Sequence, residues 1–276
     1  MAQSRLDLAD WSAFRASRPS LLSKDTGDVC PNAEKPADWA IRALQFNPSK
    51  LQAEILNYQG DRLILCCARQ WGKSTIVAIK ALHEAVHNPN TVTIILSRTK
   101  EQAGVILQRI RANASTLGLA TKRYQGRDHS IALPNGAAIF AIAHNAETAV
   151  GYTANTLIVD EAAVVKDDTF AAALPSIART NGKLWMLSTP NGQTGTFYTL
   201  WHDETLSHWH RVKATVDDVD YASQDVIDLQ MRLYPAKAKQ DFYCEFAQPA
   251  GRLVSRDLFK NFVDPTRSDM RLPDLD

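Results

Sequence analysis

Four short stretches carry residue types at spacings suited to phosphate chemistry. The first is LCCARQWGKST, residues 65 to 75. A phosphate loop needs a tight strand-to-helix turn, backbone N–H groups aimed at phosphate, a lysine, and a hydroxyl for magnesium. Gly72, Lys73 and Ser74, with Thr75 behind them, follow an apolar run and open an apolar helical pattern. Cys67 stands where such loops normally carry their first glycine. On pattern alone, the stretch also suits an ordinary helix start with Ser74 as its cap.

The second stretch is TLIVDEAA, residues 156 to 163. Asp160 and Glu161 would stand at the carboxyl end of a buried strand, where open α/β sheets bind ligands. There Asp160 would hold magnesium through water and Glu161 would polarise the water attacking a γ-phosphate. A strand running into solvated acids is the plainer alternative. The third is KLWMLSTPNGQTGTFY, residues 183 to 198, whose Ser188 and Thr189 could meet a γ-phosphate and relay its loss. Turn chemistry alone also accounts for STPNG. The fourth is upstream, Phe46-Asn47-Pro48 followed by Leu51-Gln52. A glutamine amide can pair with adenine, whose N6 donates and N7 accepts.

These residues need elements to hold them. Apolar runs predict strands at 62–68, 91–96, 156–159, 183–187 and 210–216. Helical periodicity marks 51–58, 74–87, 100–115, about 167–179, and 223–233. Residues 131–144 form a hairpin pattern around Pro134-Asn135-Gly136. Fully apolar strands alternating with helices imply an α/β fold with a mostly parallel central sheet covered by helices on both faces. Residues 1 to about 40 suggest a loose arm with short helices, DLADWSAFRA being one candidate, and the tail beyond 247 suggests a linker.

Composition narrows the class. Lys+Arg number 31 against 30 for Asp+Glu, a formal charge of +1, so a uniformly basic coat is excluded but a local basic patch is not. Cys30, Cys66, Cys67 and Cys244 form no C-x-x-C pair and suggest reduced thiols. The polar start, MAQSRLDLADWSAF, lacks the apolar core of a signal peptide. No run approaches the ~18 apolar residues that suggest a bilayer span.

In this order, from about Phe46 to Phe246, the motifs resemble the ATPase domain of large terminase subunits, the DNA-packaging motors of tailed phages and related viruses. Arg69-Gln70-Trp71-Gly72-Lys73-Ser74 fits that family's deviant Walker A loop, and Ile158-Val159-Asp160-Glu161 fits its Walker B with catalytic glutamate. Ser188-Thr189-Pro190 resembles the coupling motif, Gln52 the adenine-reading glutamine, and Ser97-Arg98-Thr99 with Gln102 a helicase-like motif. The resemblance implies a P-loop NTPase of the ASCE, RecA-like type, using ATP and Mg²⁺. Lys73, Thr75 and the backbone of Arg69 to Ser74, thus Gln70, Trp71 and Gly72 too, would bind nucleotide. Ser74 and Asp160 would hold Mg²⁺, Glu161 would activate water, and Arg69 would meet the γ-phosphate or stabilise its leaving charge. Implied partners are double-stranded DNA, the portal protein and the small terminase subunit, with a homo-oligomeric ring on the portal in the host cytoplasm.

The same resemblance divides the chain into an arm or lid-like segment (1–45), the ATPase domain (46–246), and a linker toward an absent C-terminal nuclease domain (247–276). Two departures stand out. Val150 occupies the place of an arginine found in many members, leaving Arg127 and Arg179 as candidates for a trans-acting role. Asp257, Asp264, Asp269, Asp274 and Asp276 lie in a tail too short to form that nuclease fold, so DNA cleavage is not expected of this chain. A superfamily-2-like helicase would need a second RecA-like domain, and a non-catalytic interaction module would be expected to lose Lys73 or Glu161. His202, His208 and His210 lack a completing zinc ligand, and Asp217, Asp218 and Asp220 lack the remainder of a calcium loop.

Overall fold

The computed structural model describes residues 34–143, 152–219 and 223–247. The candidate helix at 7–16, Cys30, Val150, Asp220 and the tail from 248 lie outside them. The apolar runs form strands β1 (Arg62–Cys67), β2 (Val92–Ser97), β4 (Ala138–Ala143), β5 (Thr156–Asp160), β6 (Lys183–Ser188) and β7 (His210–Ala214). A short β3 (Ser130–Ala132) completes the hairpin with β4. The seven strands lie in the order β3-β4-β2-β5-β6-β1-β7, all neighbours parallel except the β3–β4 pair. This is the doubly covered, mostly parallel sheet that the sequence predicts.

Strand alternation sends two sets of side chains to opposite faces. Leu63, Leu65 and Cys67 of β1 join Ile158 and Trp185 in one core, beneath α1 (Pro36–Leu44), α2 (Lys50–Asn57), α3 (Lys73–His87) and α4 (Lys100–Thr116). Ile64 and Cys66 join Leu157, Val159 and Met186 in the other. That second core is covered by α5 (Asp167–Ala173), α6 (Pro175–Ala178) and α7 (Gly195–His202). After β7, α8 (Gln224–Leu233) packs on α9 (Pro235–Tyr243).

Local chemistry explains the boundaries. Ser49 and Gln52 make a reciprocal capping box at α2, and Thr99 accepts from Gln102 N at 3.2 Å to start α4. Pro175 divides the stretch predicted as helical over 167–179 into α5 and α6. β7 stops at Ala214 rather than 216 because Thr215 caps a 3₁₀ turn, Val216–Asp218. Residues 36–44 of the N-terminal segment form an ordered helix. Pro36 sits at its first turn, and Ala37, Trp39, Ala40 and Ala43 are buried against the core.

Candidate functional site

Because β1, β5 and β6 run parallel, their carboxyl ends share one edge of the sheet. Asp160 pairs in register with Leu187, and Ser188 with Cys66, so the three motifs predicted separately arrive on one row. A cavity of about 570 Å³ opens above that row. Lys73, Ser74, Thr75 and Glu161 line it, as do Arg69, Gln70, Gly72, Ser188 and Thr189.

The loop closes over the end of β1 through two left-handed residues, Gln70 (φ 62) and Gly72 (φ 96). Cys67 is still regular strand, paired with Ala214, and its fully buried side chain joins the core. The chain therefore reverses after Cys67, where a Cβ does no harm. Burial pushes the Cys67 thiol up to about 12, although nearby Lys73 pulls the other way.

Lys73 and Asp160 face each other at 3.7 Å, both largely buried. Burial disfavours the ammonium, but Asp160, Cys67 and Glu161 outweigh it and hold Lys73 above its ordinary pKa. Burial raises Asp160 despite the opposing pull of Lys73. Asp160 Oδ1 is enclosed and accepts no hydrogen bond beyond its 3.7 Å ion pair with Lys73. Glu161 adopts a left-handed backbone (φ 54), and its Oε2 accepts from Gln102 Nε2 at 3.0 Å. Ser188 Oγ accepts from Ala163 N at 3.0 Å and donates to the Thr189 carbonyl at 2.8 Å. Strand β6 is thereby tied to the turn that follows Glu161.

The Gln52 amide, expected at adenine, lies elsewhere, and Trp71 can offer the site only its backbone. The Trp71 indole is fully buried beneath the loop, within the core, so its side chain does not face the cavity. Gln52 is also outside the lining. Its Oε1 accepts from Ser49 N at 3.0 Å and its Nε2 donates to the Trp71 carbonyl at 2.9 Å. Turning that amide toward adenine would break both bonds.

The family model described as terminase large subunit, T4likevirus-type, N-terminal, matches residues 64–261. The chain belongs to this terminase family. The terminase large subunit of Escherichia phage T5 is 28% identical over 219 residues, covering 75% of this chain and 50% of that protein. The corresponding subunit of Thermus virus P23-45 is 23% identical over 178 residues, covering 57% of this chain and 37% of its own length. The chain thus spans half or less of the length of these relatives. Among solved structures, the Thermus phage P74-26 large terminase ATPase domain superposes with a TM-score of 0.67 at 19% identity, covering 78% of this chain and 100% of that one. The large terminase of another thermophilic bacteriophage, solved with ATP-γ-S, gives a TM-score of 0.59 at 15% identity, over 72% of this chain and 53% of that one. The fold is that of the terminase ATPase domains, an ASCE-type P-loop sheet.

Within this terminase fold, further residues line the cavity that motif reading left without a role. Arg98 and Gln102 follow β2, and Arg109 of α4 donates to Thr75 Oγ1 at 3.3 Å. Lys237 and Gln240 arrive from α9. The signals for α9 were Pro235 at its first turn and Lys237 four residues before Asp241. Of the two candidate trans-acting arginines, Arg127 stacks over Tyr152 at 5.2 Å and lines a second cavity, while Arg179 is exposed at the end of α6. Neither lines the first cavity. His202 packs on Tyr198 and Phe246, and His210 stacks on Tyr58.

Proposed function

We propose that this chain is the ATP-hydrolysing motor domain of a large terminase that drives double-stranded DNA into a viral procapsid. The observation that carries the reading is the meeting of Lys73, Ser74 and Glu161 around one cavity, with Asp160 outside its lining but enclosed against Lys73 at 3.7 Å. The thermophilic phage terminase solved with ADP and with ATP-γ-S supports a nucleotide as the ligand. Relatives named as terminase large subunits support DNA packaging as the task.

Each residue then has a physical role. Apart from that of Arg69, which donates to the Asp241 carbonyl at 2.8 Å, the loop's backbone N–H groups and the first turn of α3 receive phosphate, helped by the helix dipole. Lys73, kept charged by Asp160, compensates phosphate charge. Ser74 and Asp160, whose Oδ1 accepts no hydrogen bond, suit a hard cation such as Mg²⁺, in keeping with oxygen-donor preference. When bound, Mg²⁺ neutralises charge on the phosphate oxygens. Gln102 holds one oxygen of Glu161, leaving the other to accept a proton from attacking water. Ser188, tied to the turn after Glu161, would pass the loss of phosphate into the sheet. Portal protein, small terminase subunit and a ring of identical copies are the partners this task requires.

The test is ATP turnover by the purified chain, with and without double-stranded DNA. ATPase activity that depends on Glu161 and Lys73 and rises with DNA is expected. Absence of nucleotide binding would overturn the reading.

A further inference from the structure

One buried carboxylate joins the nucleotide cavity to the helices that follow the sheet. Asp241 of α9 is 5% exposed and meets the start of the phosphate loop twice. Its backbone carbonyl accepts from Arg69 N at 2.8 Å, and its Oδ1 lies 3.0 Å from Arg69 Nε. The same oxygen lies 2.8 Å from Lys237 Nζ, one turn earlier on α9. Gln230 Nε2 of α8 reaches Oδ2 at 3.4 Å. The two cations meet Oδ1 as charge contacts rather than as aligned hydrogen bonds.

The arrangement does more than anchor a helix. Arg69 and Lys237 both line the cavity, and their side chains are 62% and 48% exposed. A guanidinium whose Nε faces a carboxylate turns its two Nη groups away as a planar fork, the geometry that matches phosphate oxygens. Lys237 pairs with Asp241 by charge contact, and its ammonium carries three donors. One buried negative charge thus holds two positive groups at one rim, without neutralising both.

We propose that Asp241 is a positioning residue for the terminal phosphate. It holds Arg69 in reacting geometry and presents Lys237 as a second phosphate-contacting cation. The proposal rests on the reading of this cavity as an ATP site. It adds α9, an element without a recognised motif, to the machinery.

Charge and position have opposite signatures here, and Asp241→Asn separates them. The substitution keeps shape and the backbone bond but removes the anion. The cavity becomes more positive, so affinity for ADP and ATP-γ-S stays level or tightens. Arg69 is no longer held, so kcat falls about tenfold. Lys237→Ala weakens ATP-γ-S binding about fivefold while ADP affinity stays within about twofold, and Lys237→Arg restores it. Lys237 is a half-exposed helix residue, so this arm stands even if Asp241→Asn fails to fold. A wild-type kcat in Asp241→Asn, or parallel loss of kcat and affinity, makes Asp241 a structural anchor and overturns its positioning role. Unchanged ATP-γ-S affinity in Lys237→Ala overturns the phosphate contact. If the wild-type chain binds neither nucleotide, the ATP reading itself fails and this proposal falls with it.

Discussion

Glu161 shows how much a single residue depends on its setting. Its left-handed backbone turns the chain away from β5, and Gln102 fixes the carboxylate from the neighbouring helix. Glu161→Gln is expected to bind ATP normally and lose at least about 100-fold in turnover, the range for a removed general base. Near-normal turnover in a single-cycle assay would remove Glu161 from that role. Lys73→Ala is expected to lose nucleotide binding and turnover together, measurable by titration with a fluorescent nucleotide. Gln102→Leu is expected to lower kcat with little change in ATP affinity, since it acts through Glu161. The motif residues were legible because each sits at the end of an apolar run. Gln102 was legible only as part of a resemblance, because its partner lies 59 positions away.

At the scale of elements, the phosphate loop is held from below by α2. Gln52 caps its own helix with one end of its amide and supports the Trp71 carbonyl with the other. Gly72 follows at φ 96, and a Cβ there would lie 2.9 Å from Gln52 Nε2. Gly72→Ala is therefore expected to cost ~1–3 kcal/mol of stability from backbone strain and to weaken nucleotide binding. Adding Gln52→Ala removes the steric contact but not the strain, so it restores part of the loss at most. Full recovery by thermal melting would show that the clash, not the positive φ, requires glycine. Strands and long helices were readable because their apolar periodicity is sustained. Helices α7 and α9 were missed because each is short and buries few of its residues.

The whole molecule carries a pH dependence remote from the cavity. Trp39 of α1 sets its ring edge-on to His83 and His87, which stack at 4.0 Å on α3. Burial pushes the His83 imidazole down to about 2 and lowers His87. The unfolded chain takes up these protons below pH ~6.5 while the folded chain does not. Stability is therefore intact above that pH and drains away as the pH falls. Burial likewise pushes Lys80 down to about 7, where it donates to the Leu56 and Tyr58 carbonyls. Between pH ~7 and ~10.4 the unfolded lysine stays charged and the folded one does not, so stability rises with pH there too. The melting temperature is expected to fall from pH 7 to pH 5, with a shallower slope in His83→Phe. Equal slopes would assign the acid sensitivity to other groups.

Taken alone, the sequence determined the class of fold and the residues offered for phosphate chemistry. Lysine, hydroxyl and paired carboxylates at the ends of apolar strands favour a phosphate site on a parallel sheet, although each motif alone also fits plain helix-start or turn chemistry. Those features are local, since a strand and the residue at its tip are adjacent in the chain. Only the tertiary structure decided which other residues join them. Strand order brought β1, β5 and β6 side by side, sent Gln52 and Trp71 beneath the loop, and swung Lys237 and Asp241 over its rim. Such partners are set by how layers pack, and packing distances leave no periodic trace in the chain.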